Sequence, residues 1–206
     1  MRYAQLVDSP WNARLALTTA PAVEPVSVDE LRHHSRLDVV DDLNYLASLI
    51  TASRQWIEQY LGRQLITATW TMTLDGFPAD DVIELPRPPL ISISSLKYYD
   101  SDRVQQTFAP TGYYTHVYAG PEGGMGRLER ADGEAWPTVF DGEGAVQIAF
   151  SAGYGAAGSA VPLQIRQAIL MHAAELYERR EQAIVGTISA PVAITVERLL
   201  WPLRVF

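Results

Sequence analysis

The sequence predicts an α+β fold, in which terminal helices pack as a small bundle and an antiparallel β block is inserted between them. Three observations predict it. Leu43, Leu46, Leu49, Ile50, Ile57, Tyr60 and Leu61 recur at helical spacing. From residue 65 the texture changes to period two, with Thr67, Thr69, Thr71 and Thr73 alternating with Ala68, Trp70, Met72 and Leu74. After Pro162 helical spacing returns, with Ile165, Ile169, His172, Leu176 and Tyr177 on one face.

The elements follow in order. Residues 1–26 read as an arm, because Pro10, Pro21 and Pro25 interrupt it and no apolar period persists. Trp11, Leu15 and Leu17 make it too apolar for an idle linker, so it either packs on its own domain or docks on a neighbour. Residues 27–63 form the first helical part. Ser27-Val28-Asp29-Glu30 is a capping box, in which the Ser27 hydroxyl accepts from the Glu30 amide and the Glu30 carboxylate reaches back to the Ser27 amide, predicting a short helix over 28–36. Asp38, Asp41 and Asp42 crowd the positive end of a longer helix over 41–61, which Gly62 stops.

Residues 64–155 are the β region. Asp75-Gly76-Phe77-Pro78 turns the chain, Val82–Leu85 is a short strand, and Ile91, Ile93 and Leu96–Tyr99 continue one that pairs back through Val104–Phe108. Tyr113–Tyr118, Arg127–Arg130 and Ala145–Phe150 add further strands. Residues 156–182 hold the second long helix, over 162–182, with Pro162 in its first turn. Residues 183–206 are irregular to 194; Val196, Leu199 and Leu200 then suggest a short helix before Trp201-Pro202 and an apolar tail.

Composition restricts the chemistry. With 206 residues, 48% of them apolar and 19% charged, the chain can bury a sizeable core. It has no cysteine, which removes disulfides, thiol nucleophiles and thiolate zinc sites. No basic segment leads into an apolar run at the N-terminus, and no run has the length of a membrane span, so a soluble chain made in the cytoplasm is expected. The net charge of -8 suits solubility, and equally a surface that nucleic acid passes without sticking, since phosphate gripping needs Lys and Arg.

No catalytic, cofactor or metal site is expected. The four histidines, His33, His34, His116 and His172, fall in no ligand spacing, and His172 on its apolar helix face reads as a hydrogen-bonded core or interface group. Asp80-Asp81 and the group Asp38, Asp41, Asp42 read as solvated turns and helix caps. Gly120–Gly126 is no phosphate cradle, because a strand and not a helix follows it.

Six stretches, taken together and in this order, carry a resemblance. They are Val26–Leu31 leading to Arg36-Leu37-Asp38; Trp56–Arg63; Ala68–Pro78; Leu85–Leu90 meeting Ile93–Tyr98; Phe150–Gly155; and Val161-Pro162 with Ile165–Leu170. Across residues 26–204 the chain resembles phage head–tail connector proteins of the long-adaptor kind, found in tailed phages and in gene transfer agents. The arm before Pro21 and the segment 183–195 match nothing in that pattern.

The resemblance implies a non-enzymatic virion protein at the neck, assembled in the host cytoplasm. It would form a ring, a dodecamer by that resemblance, between the portal protein and a tail-proximal neck protein (a stopper or tail terminator). DNA would pass through its channel only in transit, with no membrane and no cofactor involved. The alternatives are another neck, tail-completion or baseplate protein, or a small virion hydrolase.

A ring needs two unlike surfaces on one subunit. Trp56 and Tyr60 on the first long helix and Leu176 and Tyr177 on the second are candidates, though aromatics at helical spacing also pack inside. The tail, through Trp201, Leu203, Val205 and Phe206, is the other partner-binding candidate, because tails this apolar are seldom left in water. Deleting residues 201–206 is expected to leave a folded monomer that no longer joins particles.

Overall fold

The structure is a computed structural model that describes residues 13–37, 42–179 and 192–205. It bears out the α+β class, and by its contacts the chain divides into two compact units. Among described residues, the first unit takes 13–20, 68–119 and 123–152, and the second takes 21–37, 42–67, 120–122, 153–179 and 192–205.

The first unit is the β block. Strands β1 (Arg14–Thr19), β2 (Ala68–Leu74), β8 (Val146–Ala152), β4 (Leu90–Tyr99) and β5 (Gln105–Thr107) lie side by side in that order, each antiparallel to its neighbour. A second sheet holds β3 (Val82–Leu85), β7 (Gly126–Arg130) and β6 (Tyr113–His116). The alternation read in the sequence sets the faces. Met72 lies opposite Ile148 and Leu74 opposite Val146, all buried, while Thr69, Thr71 and Thr73 take the other side. Leu85, Leu96, Leu128 and Phe150 complete the apolar core.

Residues 14–19, within the expected arm, pack on the chain's own β block. They form β1, because Leu15 and Leu17 alternate with Arg14, Ala16 and Thr18 and align opposite Met72 and Trp70 at the edge of β2. Leu15 packs on the core, and Arg14 ties the edge down through a 2.5 Å ion pair with Asp75.

The second unit is helical: α1 (Val28–Ser35), α2 (Leu43–Leu61), α3 (Leu163–Glu178) and α4 (Val192–Leu200), then one 3-10 turn (Trp201–Leu203). The capping box is present in full, with the Glu30 amide donating to Ser27 Oγ (3.1 Å) and the Ser27 amide donating to Glu30 (2.7 Å). Gly62 ends α2 in the left-handed region at φ 69°, where its lack of a Cβ removes the usual penalty. Gly153 is required for a different reason: a Cβ there would sit 2.7 Å from the Ile66 and Thr67 backbone. Leu31, Leu46, Ile50, Ile57, Leu61, Ile165, Ile169, Ala173, Val196 and Leu200 form one core.

α4 starts at 192, inside the stretch expected to be irregular, because Val196 and Leu200 share a helix face with the core. Asp38 and Asp41, expected at the start of α2, lie outside the described residues. Among described residues no helix is long and apolar enough to cross a membrane.

Candidate partner-binding surface

The surface is built on the last turns of α2, which the helical unit fixes with buried polar groups as well as apolar ones. Arg54 and Glu58, both buried, form a 2.7 Å ion pair one turn apart. Arg54 also pairs with Glu24 at 2.7 Å, and Thr51 Oγ1 donates to the same carboxylate. Glu58 accepts further from Gln64 Nε2 (2.7 Å) and the Leu65 amide (3.1 Å). These bonds answer the desolvation that burying two charges would otherwise impose. Arg166 does similar work beside α1, pairing with Glu30 and donating to the Pro25 carbonyl. The Ser27 amide first, and then the Ser27 hydroxyl and Arg166, hold the Glu30 carboxyl below its ordinary range.

On this frame lies a stacked column of rings. His172 stacks on Trp56 with centroids 4.7 Å apart and planes within 8°, and Trp56 stacks on Tyr60 at 5.5 Å and 10°. The Arg204 guanidinium sits 5.2 Å from the Tyr60 ring and 5.8 Å from that of Trp201, so a cation links the tail to the helix. Trp201 is 57% exposed at the outer end. At the inner end His172 Nδ1 lies 2.9 Å from Ser53 Oγ, as expected of a hydrogen-bonded helix-face histidine. Burial pushes its pKa down, against the upward pull of the Glu175 charge.

Of the residues expected to bind partners, the structure therefore brings Trp56, Tyr60 and Trp201 into one array. Leu176 and Tyr177 are both partly buried against the core, and Tyr177 lies 6.2 Å from Tyr45 with its hydroxyl 3.3 Å from Asp42. Leu203 is not an exposed tail residue: it is 2% exposed, within the unit's own core. Val205 is partly buried, and its amide donates to the Leu61 carbonyl at 2.9 Å. Phe206 lies outside the described residues. Removing 201–206 thus takes out a core leucine along with any docking group, so that deletion does not separate folding from docking.

Sequence reasoning missed Arg204 and Arg63, whose Nε donates to the Leu203 carbonyl at 2.5 Å across the length of the chain. A basic residue three positions after Trp201 in the apolar run Trp-Pro-Leu-Arg was the local signal for Arg204; nothing local signals Arg63. Among described residues no group of three or more His, Asp or Glu gathers in a metal-holding arrangement.

No protein-family model matches the chain, and no curated protein does. Solved structures do. The chain is similar to one in the neck of an empty gene transfer agent (GTA) particle computed with C6 symmetry, at TM-score 0.75 and 26% identity, covering 94% of this chain and 96% of that one. A chain in the virion of a native GTA particle gives 0.72 and 27%, covering 93% and 95%. A further similar chain lies in the neck of a native GTA particle computed with C12 symmetry, at 0.70 and 27%, covering 93% of this chain and 96% of that one. The likeness is consistent with a head–tail connector. Coverage this complete includes both the β unit and the helical unit of the chain.

Proposed function

We propose that this chain is a structural adaptor of a phage or phage-like particle, one subunit of a ring at the head–tail neck. The observation that carries the reading is the end-to-end likeness at 26–27% identity to chains from GTA particles, two of them described as neck. The C6 and C12 symmetries of those necks support a ring, with identical copies on either side of each subunit.

In the finer reading, one end of the ring meets the portal protein and the other a stopper or tail terminator, and DNA crosses the channel. The net charge of -8 favours passage without retention. The stacked column ending in Trp201 is the partner-facing patch, since buried or half-buried Trp, Tyr and Arg supply most of the energy where proteins meet. No bond-making step is assigned to the chain. The isolated protein is a monomer that joins a ring on a template, which sedimentation tests directly.

The genetic test is deletion in the parent particle. Filled heads without tails should accumulate, and wild-type protein supplied in trans should restore tailed particles. Normal tailed particles from the deletion would overturn the proposal.

A further inference from the structure

The C-terminal tail does not hang from the helical unit. Three contacts fix it to one end of α2: Leu203 in the core, the Val205 amide on the Leu61 carbonyl, and the Arg63 Nε on the Leu203 carbonyl. Arg63 stands out among them. It is 2% exposed, and it follows directly on Gly62, whose left-handed geometry ends the helix. A buried arginine is costly unless its donors are used, and one of its uses here is a main-chain carbonyl 140 residues away. It also hydrogen-bonds Tyr154, whose hydroxyl burial would otherwise push higher in pKa.

We infer that Arg63 is a positioning residue for the partner-facing patch. By gripping the Leu203 carbonyl it fixes the turn Trp201–Leu203, which sets Trp201 outward and lets Arg204 lie against Tyr60. The Trp201 indole is then presented in one geometry before any partner arrives, so no ordering cost falls on the docking step. This rests on the reading that the Trp201 patch meets a partner, but the grip itself is a property of the lone chain and is tested there first.

The test compares Arg63→Met and the milder Arg63→Lys with a core control, Ile165→Val, in the full-length chain. Hydrogen exchange is followed by mass spectrometry at the Val205 amide and in α3, together with release of C-terminal residues by carboxypeptidase. In Arg63→Met the Val205 amide should exchange at least about 10-fold faster than in wild type while α3 changes little, since local opening needs no global unfolding. Carboxypeptidase should reach Leu203 in that variant and not in wild type. Arg63→Lys should be intermediate, and Ile165→Val should leave the tail protected. Equal loosening of tail and α3 in Arg63→Met, or a tail that stays protected, overturns the inference.

A second arm supplies each variant to particles lacking the chain. Wild type and Ile165→Val should be incorporated, Arg63→Met poorly. A loosened tail with wild-type incorporation would refute the positioning role. Failure of the wild type to be incorporated at all would instead refute the neck assignment, so the two readings fail separately.

Discussion

Arg54→Met is the change for which the structure gives the clearest magnitude. The guanidinium lies between Glu24 and Glu58 at 2.7 Å from each, and the Arg54 and Glu58 side chains are 9% and 10% exposed. Methionine keeps most of the stem's packing but takes the Arg54 guanidinium away from the buried Glu58 carboxylate, to which Gln64 and the Leu65 amide still donate. Breaking a buried pair from one side costs about 3–5 kcal/mol. Glu24 is the more exposed carboxylate, 29% at its side chain, and water rescues much of its share. Urea denaturation at neutral pH should therefore show a loss of about 3–5 kcal/mol with an unchanged m-value. Replacing Glu58 as well, by Gln, should recover part of that loss. A single-variant loss below about 1 kcal/mol, the range of exposed ion pairs, would refute the view that this pair is sealed from solvent.

Three further outcomes follow from the same packing. Leu203→Ala should cost about 2–5 kcal/mol in the same denaturation assay, because it empties a core position, whereas Trp201→Ala should leave the midpoint nearly unchanged. Ser27→Ala should lower stability by about 0.5–2 kcal/mol through loss of the α1 cap, read as a shifted urea midpoint. His172 has a folded pKa below its unfolded value near 6.5, so the unfolded chain binds the extra proton first. Its contribution is in place above that pH and is lost as pH falls through the folded value; His172→Gln should flatten the stability–pH slope in that window.

Local chemistry was legible in the sequence and distant pairing was not. The Ser27 capping box, the Gly62 stop and the Thr alternation of β2 each follow from a few neighbouring residues, and each stands as read. The fold class follows from the order of those textures. The position of β8 between β2 and β4 does not, because three antiparallel strands of similar alternation admit more than one order. β1 was missed because six alternating residues between prolines form a strand only when an open edge is ready to receive them. The docking candidates divided in the same way. Trp56 and Tyr60 stand four apart on one helix and so had to meet, whereas Leu203 is buried with its carbonyl bound by Arg63, which no spacing rule connects to it. A tail that is apolar to the end reads alike whether it covers its own core or a neighbour's.

The chain's place in an assembly is tested most directly by a cryo-electron microscopy reconstruction of the parent particle's neck. A ring of density between portal and tail should fit copies of this chain, with Trp201 against a partner. A well-resolved neck with no density for the chain would contradict it.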